Sequence, residues 1–222
     1  MKKLIAIIAA LSAMMLALPA MAGHDQNPSE QVRTYTYSLD EVAENEMDGS
    51  PSGTVRLTAL PNGKIQVKIR ASGLAPSLPH AQHLHGVFNA DETGLVPGAC
   101  PTITNDGDLG RPMDGLIDTV EGVLDYGLVR QSLTTTGDTS PASALDVPDF
   151  PVADRNGNLR YQRTFTPTDS RVWTDLGAVE VVIHGVDLND SGGYDFESGP
   201  SSLSGDFPLE ATIPALCGGP GN

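Results

Sequence analysis

The chain has 222 residues and a net charge of −15, with 13 Lys and Arg against 28 Asp and Glu, 24 glycines and 17 prolines. So acidic a balance excludes nucleic acid and anionic membrane as partners, since both would be repelled. The length suits one domain with a core of its own.

In chain order, residues 1–22 read as an export signal. Met1-Lys2-Lys3 is a charged start, residues 4–18 an apolar core, and Ala20-Met21-Ala22 a small-x-small cleavage site. The apolar stretch is too short for a comfortable membrane span and no second one follows, so the expectation is an exported protein, periplasmic or secreted, with no membrane span. Residues 23–52 are expected to hold a tail carrying His24 and a first strand, and residues 53–222 the main β domain. The strand falls at 32–39, with Tyr35, Tyr37 and Leu39 on one face and Arg33 beside them.

Residues 54–60 alternate apolar and polar, Pro61-Asn62-Gly63 is a hairpin turn, and residues 64–70 alternate on the return. Ser72 to Pro76 breaks that strand just before Leu78-Pro79-His80-Ala81-Gln82-His83-Leu84-His85-Gly86. In an extended segment alternate side chains share a face, so His83 and His85 can grip one ion. His184 closes the apolar run 179–183, a strand expected to be buried on both faces. A third imidazole from that strand would complete a nitrogen-rich pocket suited to copper or zinc.

Asp154-Arg155-Asn156-Gly157-Asn158 reads as a turn before a strand at 159–165, and no helical period extends beyond a turn or two near 118–124. Long segments at 86–118, 134–152 and 187–214 are rich in Gly, Pro, Asp, Ser and Thr, a loop length that is usually functional. The fold class expected is all-β, a sandwich or Greek-key barrel with large acidic loops. In an exported chain the two cysteines, Cys100 and Cys217, are expected to form one disulfide. Closing so long a loop contributes about 4–5 kcal/mol on the chain-entropy account.

His80, His83 and His85 fit the His-x-x-His-x-His copper motif of the copper/zinc superoxide dismutase family, which the chain resembles over roughly 53–85 and 179–217. The hairpin before the motif, Val181-Val182-Ile183-His184 with Gly185-Val186-Asp187, and the two cysteines carry the rest of the likeness. The resemblance implies a superoxide-dismutase-like barrel, copper held by His83, His85 and His184, and His80 orienting the site through hydrogen bonds without touching the metal. It also implies superoxide as the small-molecule substrate. Residues 101–110 lack the family's bridging histidine, Asn105 stands where a zinc histidine belongs, and Pro214 replaces the substrate-guiding arginine. Copper without zinc is therefore expected, with Arg111, Arg130 and Arg171 as candidates for local positive charge.

Two acidic stretches invite a second cation. Asp106 and Asp108, followed by Asp114-Gly115-Leu116-Ile117-Asp118 and Glu121, resemble the later part of an EF-hand calcium loop, and Asp187 with Asn189 repeats the idea after His184. Each is either a calcium site or a solvated acidic loop. Three readings of function follow: a copper-only dismutase, a non-catalytic copper binder, and a calcium-ordered β interaction module. Sequence does not fix the oligomeric state.

Overall fold

The computed structural model describes residues 31–42, 45 and 50–221; the expected export signal and His24 lie outside them. Strands β1 (Arg33–Glu41), β2 (Ser52–Ala59) and β3 (Ile65–Ser72) form an antiparallel meander. The expected turn joins β2 to β3, with Leu60 N–H donating to the Lys64 carbonyl at 2.8 Å. β1 pairs with β2 from Arg33 opposite Ala59 to Asp40 opposite Ser52, and its end also pairs with the last strand. The first strand therefore shares a sheet with β2 and with the last strand.

The remaining strands are β4 (Gln82–Phe88), the two-residue β5 (Leu95–Val96), β6 (Leu128–Ser132), β7 (Leu159–Phe165), β8 (Glu180–His184) and β9 (Pro214–Gly218). Three short helices, α1 (Thr119–Tyr126), α2 (Ser170–Thr174) and α3 (Leu209–Thr212), sit in the connections. All pairings are antiparallel, in the order β4-β8-β9-β1-β2-β3-β7, with β5 and β6 each paired to β4 as well. The connections β3 to β4 and β7 to β8 cross the sheet, which is the Greek-key element of the topology. The fold is all-β, as expected.

The sheet curls into a half-barrel, and side chains bridge the gap between β7 and β6. Tyr161 Oη donates to the Thr134 carbonyl at 3.2 Å, and Arg163 donates to the carbonyls of Thr134 and Gly137 at 2.8 and 2.7 Å. Alternation fills the inside: Val55, Leu57 and Ala59 on β2 and Ile65, Val67 and Ile69 on β3 are buried together.

β8 is buried along its whole length, and its two faces serve different neighbours. Val181 and Ile183 join the barrel lining, while Val182 packs outside with Val42, Ile117, Tyr126 and Cys217. This outer layer explains the near-continuous apolar run. The expected disulfide is present, Cys100 to Cys217 with a Cα separation of 5.7 Å, and it pins the loop before α1 onto β9. Among the described residues no helix is long and apolar enough to cross a membrane.

Candidate metal centre

β4 and β8 are neighbours in register, with His83 opposite Val182 and His85 opposite Glu180. Opposed residues in an antiparallel pair share a face, so both histidines project into the outer layer. Two bulges aim the site. Beside His85 the β4–β6 register shifts, leaving Arg130 as an extra residue, and beside His184 the β8–β9 register shifts at Ala215. Bulges re-aim side chains where pairing is interrupted.

The three rings meet. Ring centroids lie 5.6 Å apart for His83 and His85, 5.2 Å for His83 and His184, and 6.0 Å for His85 and His184. One ligand atom from each residue lies within 4.8 Å of those from the other two, so the three form a set able to hold one metal ion. All three rings are buried.

Each imidazole has one nitrogen bonded and one left over. His83 Nε2 donates to the Ala144 carbonyl at 3.1 Å, His85 Nδ1 to Gly127 at 2.9 Å and His184 Nδ1 to Thr212 at 2.6 Å. A carbonyl only accepts, so each of these contacts fixes the tautomer and leaves the opposite nitrogen with a bare lone pair. Those opposite nitrogens, His83 Nδ1, His85 Nε2 and His184 Nε2, are buried and have no hydrogen-bond partner. Unpaired buried acceptors are costly and rare, and three facing one another give the group the donor set that one metal ion needs.

Charge reinforces the pattern. Burial, then the His184 and His85 rings, holds His83 well below its ordinary value; burial, then the His184 ring and Arg130, holds His85 down at about 3; burial carries His184 down to about 4. All three are neutral near pH 7, the form that ligates metal. Neutral imidazoles suit copper, zinc, iron or nickel.

Local backbone makes these contacts available. Gly127, which caps α1, has φ +79°, and a Cβ there would meet the Gly86 carbonyl oxygen, so only glycine can present its carbonyl to His85. Gly185 has φ +107°, and a Cβ would run into Tyr194 Oη and stand 3.1 Å from His80 Nδ1. Phe150 meets His83 edge-on with centroids at 5.3 Å, and Tyr126 meets His85 at 4.5 Å.

His80 lies away from the centre. Its Nδ1 faces the carbonyl of His184 at 3.0 Å and its Nε2 that of Ala75 at 3.1 Å, so it steadies the backbone that carries His184. The second cluster of potential ligands, Cys100, Glu180 and Cys217, has both sulfurs committed to the disulfide.

The acidic stretches are organised by backbone instead. Asp106 accepts from the N–H groups of Asp114 and Gly115, Asp114 from Leu116, and Asp108 from the Asn105 side chain. Asp118 and Glu121 form a capping box on α1, Asp118 also pairing with Arg111 at 2.6 Å and Glu121 reaching back to Gly107 N–H. Asp187 accepts from Ser191 and Gly192, and the Asn189 amide donates to Asp195 and Glu197. Among the described residues, no three of these carboxylates come together as a ligand group.

None of the arginines expected to supply positive charge lines the cavity over the histidines. Arg130 and Arg171 stack on the Phe88 ring at 3.8 and 4.1 Å, Arg111 holds Asp118, and Arg130 alone places its charge close enough to be felt at His85. Sequence reasoning missed the carbonyls of Ala144, Gly127 and Thr212, which carry no side-chain mark. It also missed Glu210, a buried carboxylate that accepts from Leu188 and Asp195 N–H and staples the loop after His184.

The chain matches no family model and no curated protein. A solved structure of the clock protein EA4 is similar over 82% of this chain and 91% of that one, at 14% identity and a TM-score of 0.36. A likeness that distant carries no argument about function.

Proposed function

We propose that this chain is an exported copper protein of the superoxide dismutase kind, with His83, His85 and His184 as the ligands and no zinc partner site. The observation that carries the reading is the trio of buried ring nitrogens without partners, each opposite a nitrogen already donating to a backbone carbonyl. An all-nitrogen, three-ligand set suits Cu(I) and leaves room for a further ligand on Cu(II). The sequence motif His80-x-x-His83-x-His85 favours copper over other imidazole-loving metals.

Bound copper supplies one-electron exchange between its two oxidation states. The chain supplies the rest. The carbonyls of Ala144, Gly127 and Thr212 hold the rings so that little reorganises between the two states, and Phe150 and Tyr126 keep bulk water from their edges. Two superoxide ions and two protons give one oxygen and one peroxide, and the protons come from solvent, because no carboxylate lines the cavity over the histidines.

The test has two arms. Purified protein should take up one equivalent of copper with nitrogen splitting in its Cu(II) electron paramagnetic resonance spectrum, and His184→Ala should weaken binding at least tenfold. Copper-loaded protein should then speed superoxide decay in pulse radiolysis. Copper retained unchanged by His184→Ala sinks the reading, whereas tight copper without decay makes the protein a non-catalytic copper binder.

A further inference from the structure

Above the three histidines lies a cavity of about 460 Å³ with largely apolar walls. Apart from the ligands it is lined by Leu128, Val129, Leu145, Val147, Leu203 and other small or apolar residues, with no Lys, Arg, Asp or Glu. Its other polar side chains are Thr119 and Thr212, and both hydroxyls are spent: Thr119 donates to the Thr212 carbonyl at 2.5 Å, and Thr212 pairs with Ser201 at 2.7 Å. Leu128 and Leu203 are 61% and 48% exposed, so the apolar lining continues out to solvent at the mouth.

These features set the ligand. An uncharged apolar body loses unfavourable water contact on entering and displaces water from walls that cannot hold it. The volume is about three times that of a cavity of about 150 Å³ that accepts benzene, and falls in the ordinary range for small-molecule sites. We propose that this cavity binds an uncharged, mostly apolar small molecule of ring-plus-chain size, with a lone-pair atom directed at the histidine centre. The apolar part stands on the cavity walls; only the lone-pair contact rests on the metal reading above.

Naphthalene tests the walls without any metal. Titrated into the full metal-free protein, it should give saturable carbon-13 methyl shifts confined to Leu128, Val129, Leu145, Val147 and Leu203, and Leu203→Asp, at the exposed mouth, should weaken it at least tenfold while leaving the other methyl shifts of the fold in place. Shifts scattered elsewhere, or an affinity within twofold in Leu203→Asp, overturn the proposal. With copper loaded, 4-phenylimidazole should bind at least tenfold tighter than imidazole, and equal affinities overturn the claim that walls and metal act on one ligand. Loss of copper binding with naphthalene shifts intact would fault the metal reading alone.

Discussion

On the inner face of β4, β8 and β9, Leu84, Val181, Ile183 and Leu216 join an aliphatic lining that regular alternation builds by itself. On the outer face of the same strands lie His83, His85, Val182, Glu180 and Cys217, roofed by loops. The roof is held by a disulfide, a capping box and side chains bonded to carbonyls, each a local device. The contrast separates two sources of order. The lining depends on many interchangeable contacts, whereas the histidine-bearing layer depends on a few specific ones, so single changes should affect the two faces differently.

The largest expected effect comes from the disulfide. Cys100→Ser with Cys217→Ser releases a bridge spanning 117 residues and should lower unfolding free energy by about 4 kcal/mol in urea melts. Because the bridge anchors the roof, copper affinity should fall as well. Leu57→Ala, in the lining and fully buried, should cost about 3 kcal/mol and leave copper affinity unchanged. Equal losses of copper affinity in the two variants would erase the distinction.

Glu180 sharpens it through pH. The carboxyl is fully buried and burial pushes it up to about 7, with only the Gly221 N–H opposing. The folded chain therefore holds this proton more tightly than the unfolded one, and the stability it contributes below pH 4.5 is lost as pH rises through 7. Melts at pH 5 and pH 8 should differ by on the order of 2–3 kcal/mol from this group. Glu180→Gln should flatten that slope, and an unchanged slope would refute the assignment. Asp118→Ala gives the smallest change, about 1–2 kcal/mol from loss of the α1 cap, with a local rise in amide exchange over residues 119–122 and none in the barrel.

Legibility in the sequence follows the same division. The hairpin at Pro61-Asn62-Gly63, strand β7 and the pairing of His83 with His85 were readable because period-two alternation needs nothing beyond neighbouring residues. β6 and β9 were not. Leu128-Val129-Arg130-Gln131-Ser132 faces solvent at one end and core at the other, and Pro214-Ala215-Leu216-Cys217-Gly218 has the composition of a turn. The acids at 118 and 121 fit a calcium loop and a helix cap equally well on paper, and the helix settles which backbone groups they serve. The convergence of His184 on the β4 pair was legible only as an expectation of a third ring, since it rests on β8 lying beside β4.

The two bulges beside the histidines have a consequence for assembly of the chain. Removing the extra residue from β6 or β9 would restore an even ladder there and change the aim of the imidazoles, which follows from the interruption at Arg130 and at Ala215. Ala215 is itself buried in the lining, so the two faces share this one irregularity. A slip by a single residue turns side chains to the opposite face, so chains refolded out of register should lose the meeting of His83, His85 and His184 together with the packing of Leu216.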